Sequence, residues 1–236
     1  MTSTYFLGAN SAQGFYSLYG GFPPRGGFLH IIKGGPGTGK SGFMRAIGAE
    51  AERRGMDVEY VLCSGDPDSL DGVYIPALNT AWVDGTAPHA LDPVIFGVTG
   101  DYVNLGRFCR TPFSPENQEA IRRITPAYKA LYAEGYEHIA ATGKCEVRGD
   151  FDLSPLEKRL DMILRRCPAD GAPYERRVFL RAISCRGLLS LADTLAGYGE
   201  VYEFTSSHGG GAPALELVRR EAERRGLCRV LSMSPL

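Results

Sequence analysis

A glycine-rich loop between an apolar run and an amphipathic run constrains the fold of this chain more than any other feature. The apolar run, Phe28-Leu29-His30-Ile31-Ile32, has the composition of a parallel strand that is covered on both faces. The amphipathic run, Gly42 to Arg54, carries large apolar side chains on one helical face and is followed by Gly55, a residue type that commonly ends helices. The order strand, loop, helix is therefore predicted for residues 28–54.

The loop itself, Gly34-Gly35-Pro36-Gly37-Thr38-Gly39-Lys40-Ser41, matches the pattern G-x-x-x-x-G-K-[ST] in full. Glycines let a backbone turn successive N–H groups inward around phosphate oxygens, and the following helix N-terminus adds partial positive charge. The lysine of such a loop reaches the β- and γ-phosphates, and the last hydroxyl ligates Mg²⁺. We therefore predict that Gly34 to Gly42 bind the nucleotide, with Lys40 as a catalytic residue and Ser41 as a metal ligand. No Asn-Lys-x-Asp guanine motif occurs, which favours ATP.

A loop of this kind is usually completed by an aspartate at the end of a neighbouring strand. Two apolar runs end in aspartate: Ala81-Trp82-Val83-Asp84, and a run from Val94 to Asp101 that two glycines interrupt. We favour Asp84 as the second Mg²⁺ ligand and a catalytic residue; the alternative is that it only opens a turn. Gly85 stands where many P-loop ATPases have a water-activating glutamate, so hydrolysis is expected to be slow or to use another base.

A second acidic stretch follows the strand predicted for Val58 to Leu62. It contains Asp66, Asp68 and Asp71. In an open parallel sheet, the carboxyl ends of the strands form the edge that binds ligands. Asp66 is our candidate for positioning water or a phosphate acceptor, and turn or helix-cap roles are the alternative for all three.

The chain contains an internal repeat. Phe6 to Leu18 and Phe179 to Leu191 are identical at seven of thirteen positions, at a constant offset of 173 residues. The hexapeptide from Glu50 to Gly55 recurs unchanged from Glu221 to Gly226, at an offset of 171. The C-terminal part is therefore predicted to be a second copy of the first.

The second copy has lost the residues that would bind phosphate and Mg²⁺. Its loop falls within Thr205 to Ala214, where glycines remain, and no lysine follows Lys158. We predict that this copy does not bind ATP productively. A two-stranded copy cannot close a sheet, so it is expected to dock on the first copy, to pair with another chain in a homodimer, or to belong to a longer protein.

Composition restricts the class of protein further. The 236 residues carry 26 Lys and Arg against 27 Asp and Glu, a balance that argues against broad capture of nucleic acid or anionic lipid. No apolar run approaches the roughly 20 residues that span a bilayer, and Met1 to Asn10 has no secretory signal pattern. Six cysteines without a Cys-x-x-Cys pair suit reduced thiols. We expect a cytoplasmic protein with no membrane partner and no metal–cysteine site.

Four segments carry a family resemblance. They are Tyr5–Phe15, Lys33–Ser41, Asp68–Gly72 and Val83–His89. In these segments the chain resembles a poorly characterised bacterial family of tandem P-loop ATPase-like proteins, and the similarity runs along most of its length. The resemblance implies ATP and Mg²⁺ binding at Gly34 to Ser41 and a supporting role for Asp84. The family has two P-loop halves, whereas the second half here is degenerate and shortened.

We predict an α/β protein: a three-layer P-loop NTPase fold with a mostly parallel sheet over residues 1–150, a helical segment and linker over 151–176, and the shortened repeat over 177–236. One helix is predicted from Pro115 to Thr142, interrupted at Pro126, and another from Leu156 to Cys167. The function that we favour is a Mg²⁺-dependent ATPase that couples ATP binding or slow hydrolysis to a conformational change in a protein or small-molecule partner. A small-molecule or nucleotide kinase using Asp66 or Asp71, and a non-hydrolysing nucleotide switch, are the alternatives.

Overall fold

Six strands of the N-terminal part form one sheet. The structure is a computed structural model, and it describes residues 2–88, 90–109, 115–142, 152–167, 175–197, 201–203, 211–227 and 229–232. The predicted linker at 168–174 and the second glycine loop at 204–210 lie outside the described residues. The strands are β1 (Thr2–Tyr5), β2 (Gly8–Ser11), β3 (Gly14–Ser17), β4 (Phe28–Lys33), β5 (Val58–Leu62), β6 (Leu70–Ile75), β7 (Thr80–Asp84), β8 (Gly100–Asn104), β9 (Glu175–Val178), β10 (Arg181–Ser184), β11 (Gly187–Ser190) and β12 (Arg229–Ser232). The helices are α1 (Lys40–Arg53), α2 (Pro115–Thr142), α3 (Ser154–Leu164) and α4 (Gly211–Arg224), with short 3₁₀ turns at Pro24–Gly26, Pro76–Leu78, Leu105–Phe108 and Ala192–Gly197.

The large sheet has the strand order β1-β5-β6-β7-β4-β8 and is mostly parallel. Strand β4 pairs in parallel with β7 and with β8, and β1 pairs in parallel with β5. Only β6 runs the other way, because it pairs antiparallel with both β5 and β7. The carboxyl ends of β4, β5 and β7 therefore meet at one edge of the sheet. The predicted α/β class with a mostly parallel sheet is confirmed.

The two faces of the sheet are covered differently. Helix α1 lies on one face, where Met44 and Ala51 pack against Ile32, Val58 and Val73 in a buried cluster. The opposite face is covered by the chain that follows the first hairpin. Its buried residues are Tyr19 and Phe22, which pack with Leu29, Ile31, Val61, Ala81 and Val83. Burial on both faces explains why all the buried positions of β4 and β7 are apolar.

The second copy reproduces five elements of the first within the described residues. Hairpin β2/β3 corresponds to β10/β11, and each hairpin turns at a glycine with positive φ, Gly14 at 95° and Gly187 at 88°. Helix α4 corresponds to α1, and both are 14 residues long. The parallel pair β9/β12 repeats β1/β5 in the same register, since Thr2 lies opposite Val58 and Glu175 opposite Arg229. The predicted repeat is therefore also a structural repeat.

The second copy docks on the first. Phe6 and Phe179, which occupy equivalent positions, form an antiparallel bridge. Both rings are buried, in a cluster with the equivalent pair Ala9 and Ala182. Val178 of β9 lies in the same buried cluster as the core of the first sheet. Docking within the chain is thus the arrangement that the structure adopts.

One expectation about a helix was wrong. Helix α2 is not interrupted at Pro126 but continues through it. A proline removes one N–H donor, and in a helix of 28 residues the hydrogen bonds on either side hold the backbone in place. The run from Val94 to Asp101 is a strand only from Gly100 onward, and Val94 is 90% exposed.

Helix α3 packs on α4 in a separate apolar cluster. Its buried residues include Leu160, Leu164 and Leu217. Among the described residues, none of the helices combines the length and apolar character that crossing a bilayer requires.

Candidate functional site

The glycine-rich loop connects the end of β4 to the start of α1, as the sequence predicts. Gly37 and Gly39 have φ angles of 77° and 86°, in a region that side chains disfavour. Gly39 is the N-cap residue of α1, and the Phe43 N–H donates to the Gly39 carbonyl at 2.9 Å. Lys40, Ser41 and Gly42 then form the first turn of α1, whose N–H groups have no partner within the helix. The loop therefore offers backbone donors at a helix N-terminus.

The base of the loop leaves no room for a side chain at its first glycine. A Cβ atom on Gly34 would lie 2.5 Å from the Thr38 hydroxyl oxygen. That hydroxyl donates to the Gly35 carbonyl at 2.8 Å and so crosses the loop. Gly35, Pro36 and Gly37 are exposed at the rim. Gly34 is therefore required by packing, and Gly37 and Gly39 by backbone conformation.

The Lys40 ammonium group lies at the centre of the loop. Its Nζ donates to the carbonyls of Gly34, at 2.8 Å, and Gly35, at 3.0 Å. It also lies 3.5 Å from the Asp84 Oδ2 atom, and the two side chains are only 10% and 15% exposed. Lys40 and Asp84 are 44 residues apart in sequence, and the parallel pairing of β4 with β7 brings them together.

Asp84 opens a turn, which is the alternative that the sequence analysis gives for it, and its carboxylate also faces the loop. Its Oδ1 atom accepts hydrogen bonds from the Thr86 N–H, at 2.8 Å, and from the Thr86 hydroxyl, at 2.5 Å, so it does open a turn. Its Oδ2 atom faces Lys40. The turn fixes the carboxylate, and the other oxygen lies at the loop. Thr86 is a residue of this site that sequence reasoning missed, although an Asp-x-Thr spacing is a common turn pattern.

The Ser41 hydroxyl is held from the neighbouring strand. Its oxygen accepts a hydrogen bond from the Leu70 N–H at 2.9 Å, at the point where β6 begins. A hydroxyl oxygen has two acceptor lone pairs, so this bond leaves one of them for another partner. The Leu70 contact is invisible in the sequence because it depends on β6 lying beside β5 and β7.

Asp66 forms a turn and lies outside these contacts. It is exposed, and its two carboxylate oxygens accept hydrogen bonds from the Asp68 N–H, at 3.3 Å, and the Ser69 hydroxyl, at 2.8 Å. These contacts are the turn role that the sequence analysis gives as the alternative. Asp101 ends the second apolar run, which we did not favour as the source of the Mg²⁺ ligand. It lies within β8, and its Oδ1 atom is 2.6 Å from His30 Nδ1.

Three ionisable side chains lie near the carboxyl edge of the sheet: Asp71 and Tyr19, which are buried, and Cys63, which is half-buried. Asp71 on β6 is 4% exposed, and the antiparallel register that pairs Gly72 with Val83 places it opposite Asp84. Burial, with the charges of Asp71, Cys63 and Asp84 nearby, raises the pKa of the Tyr19 hydroxyl well above its usual value. Burial and the neighbouring Asp71 raise the pKa of the Cys63 thiol to about 12. Tyr19 and Cys63 therefore stay protonated at neutral pH.

The groups at this loop suit a magnesium-bound nucleotide. The loop and the start of α1 supply backbone N–H donors, and Lys40 supplies a positive charge for phosphate oxygens. Ser41 and Asp84 are a hydroxyl and a carboxylate, which is the small oxygen donor set that Mg²⁺ takes alongside phosphates and water. In the part of the chain that the structure describes, no group of three or more His, Cys, Asp or Glu side chains could hold a metal by itself.

The second copy has no counterpart of the Lys40 and Ser41 side chains. The alignment of α4 with α1 places Gly211 at the position of Lys40 and Ala212 at that of Ser41. Neither residue has a side chain that could contact phosphate or a metal. No family model, curated protein or solved structure matches the chain. Its function is therefore inferred from the loop of the first copy and the side chains around it.

Proposed function

We propose that this chain is an ATP-binding P-loop protein of the tandem ATPase-like type, with the three-layer P-loop NTPase fold in its first copy. We propose further that it is a Mg²⁺-dependent ATPase in which ATP binding or slow hydrolysis drives a conformational change. The observation that carries the proposal is the position of Lys40. Its Nζ lies on the inner carbonyls of a glycine loop and 3.5 Å from a strand-end aspartate.

In this proposal each residue has a defined role. The N–H groups of the loop and of the first turn of α1 bind the phosphates, and Lys40 leaves the Gly34 and Gly35 carbonyls to contact the β- and γ-phosphates. Ser41 and Asp84 hold Mg²⁺, with Thr86 fixing the carboxylate. Bound Mg²⁺ supplies neutralisation of the charge on the phosphate oxygens.

The geometry favours hydrolysis over phosphate transfer to a small molecule. In the kinase alternative, Asp66 or Asp71 would have to reach the acceptor hydroxyl. Asp66 is engaged in its turn, and Asp71 is 4% exposed beside Cys63. Gly85 follows Asp84, so the water-activating glutamate of many P-loop ATPases has no counterpart there, and we expect slow turnover.

Time-resolved ³¹P NMR of the purified protein with Mg²⁺ and ATP tests the proposal, together with a direct ATP-binding titration. The variant is Lys40→Ala, and the matched control is Lys158→Ala, an exposed lysine on α3. Circular dichroism establishes that both variants are folded. We expect slow phosphate release and ATP binding in the wild type and the control, both lost in Lys40→Ala.

The other outcomes separate the alternatives. A new phosphomonoester that forms only with a metabolite extract would indicate a kinase. ATP binding without turnover in either condition would indicate a nucleotide switch. A wild-type protein that does not bind ATP would overturn the proposal as a whole.

A further inference from the structure

The tip of the second hairpin lies on the loop that follows β5 in the first copy. The Cys185 N–H donates to the Gly65 carbonyl at 3.2 Å. The Arg186 guanidinium forms an ion pair with the Asp68 carboxylate, although the two residues are 118 apart in sequence. The second copy thus contacts the 63–70 loop through backbone and side chain.

That loop also holds a residue of the candidate site. Its last residue is Leu70, whose N–H donates to the Ser41 hydroxyl at 2.9 Å. The Asp68 carbonyl accepts a hydrogen bond from Arg45 of α1, so the loop is fixed to the helix that Lys40 begins. Arg186 is therefore linked to Ser41 by its ion pair with Asp68, by the backbone from Asp68 to Leu70, and by the Leu70 hydrogen bond.

The two copies differ at this position of the hairpin. Arg186 in the second copy corresponds to Gln13 in the first, at the offset of 173 residues. The arginine that contacts Asp68 of the first copy is therefore a residue of the second copy. A neutral glutamine could not form the same ion pair with Asp68.

We propose that Arg186 is a positioning residue for the Mg²⁺ ligand Ser41, an inference that rests on the proposed function. By holding Asp68, it keeps the 63–70 loop where the Leu70 N–H occupies one lone pair of the Ser41 oxygen. The second lone pair would then be left for a bound metal. The second copy in this way supports the binding of Mg²⁺-ATP by the first copy.

Nucleotide affinity measured with and without Mg²⁺ tests the inference on the full chain. Arg186→Ala is expected to weaken binding of Mg²⁺-ATP about two- to fivefold, the range for loss of an exposed ion pair. Binding of ATP in EDTA should be unchanged, because Ser41 acts through the metal. Lys40→Ala should weaken both, and Arg181→Ala, which removes an exposed arginine from the same hairpin, should weaken neither.

A double-mutant cycle identifies the partner. Asp68→Asn alone should cause the same loss as Arg186→Ala, and the double variant no further loss. Equal weakening with and without Mg²⁺, or no difference between Arg186→Ala and Arg181→Ala, would overturn the inference.

Hydrogen exchange of the nucleotide-free protein separates this inference from the proposed function. Peptides that contain Leu70 should exchange faster in Arg186→Ala than in Arg181→Ala, whether or not the protein binds ATP. If the wild type does not bind ATP, the proposed function fails while the exchange result still reports on the loop. Unchanged exchange at Leu70 would show that Arg186 does not hold the loop.

Discussion

Phe6 and Phe179 exchange two backbone hydrogen bonds of 2.9 Å, and they are the same residue of two copies of one motif. Each N–H donates to the other carbonyl, which is the pattern of a contact across a local twofold axis. The equivalent pair Ala9 and Ala182 lies buried in the same cluster. The two copies therefore meet as the subunits of a symmetric dimer do, within a single chain.

This contact should be a major source of stability. Phe179→Ala removes a ring that is 2% exposed and lies edge-on to Tyr16 at 5.9 Å between centroids. We expect a loss of about 3–5 kcal/mol in the free energy of unfolding, the usual cost of deleting a buried phenylalanine ring. Urea denaturation measures it, with Leu188→Ala as the control, at a residue that is 58% exposed on the hairpin following Phe179. A similar midpoint for both variants would contradict a packed contact between the copies.

A buried ion pair joins the copies at a second place. Arg176 on β9 contacts Glu59 on β5, with side chains 8% and 14% exposed, and lies over the Tyr5 ring at 5.1 Å. Arg176→Met should destabilise the protein by about 3–5 kcal/mol, because it leaves the Glu59 carboxylate buried without its cation, although the Tyr5 hydroxyl still donates to it at 2.8 Å. Adding Glu59→Gln should recover most of that loss.

An exposed ion pair serves as the control for this buried one in the same urea denaturation experiment. Arg165 forms an exposed ion pair with Asp161 on α3, its side chain being 74% exposed. Arg165→Ala should cost no more than about 1 kcal/mol. A double variant at Arg176 and Glu59 that is no more stable than Arg176→Met would show that burial of the charge is not the cause.

Two neighbouring glycines of the loop should respond differently to the same substitution. Gly34→Ala places a Cβ 2.5 Å from the Thr38 hydroxyl, whereas nothing lies within 4 Å of a Cβ on Gly35. We expect Gly34→Ala to weaken Mg²⁺-ATP binding about tenfold through this overpacking, and Gly35→Ala to change it by less than about twofold. Equilibrium titration measures both. Thr38→Ala removes the hydroxyl that the new Cβ would meet. The double variant Gly34→Ala/Thr38→Ala should therefore recover part of the affinity for Mg²⁺-ATP, and no recovery would show that this close contact is not the cause of the loss.

The thiols should react in an order that follows burial. Only the thiolate reacts, and the pKa of Cys63 is about 12, so at pH 8 about one Cys63 in ten thousand is ionised. Iodoacetamide followed by peptide mass spectrometry should label the exposed Cys109 and Cys185 first. Labelling of Cys63 should rise about tenfold from pH 8 to pH 9, because each pH unit below the pKa changes the thiolate fraction tenfold.

Burial is the largest cause of the raised Cys63 pKa, and the neighbouring charge of Asp71 is the second. The effect of this charge can be tested separately. Asp71→Asn removes the negative charge beside the thiol, lowers the Cys63 pKa and should accelerate its labelling at pH 8. Cys185 serves as the internal reference within each sample. Labelling of Cys63 in the native wild type at the rate of Cys185 would contradict its burial.

Local sequence patterns predicted the individual elements well. The strand, glycine loop and helix over residues 28–54, strand β5 at Val58–Leu62 and the strand ending at Asp84 all lie where predicted. The repeated segments predicted a second copy of the first part, and the structure shows it as the hairpin β10/β11 and the helix α4. Such features depend on the φ preference of glycine and the periodicity of apolar residues, which act over a few neighbouring residues.

The sequence by itself therefore determined the loop, its flanking strand and helix, and the existence of two unequal copies. Tertiary structure alone decided that β6 runs antiparallel between β5 and β7, that Lys40 meets Asp84, and that Arg186 meets Asp68. The continuation of α2 through Pro126 also required it. Strand order and long-range contacts follow from how apolar surface is buried by the whole chain, and a local pattern contains no record of which distant segment will cover it.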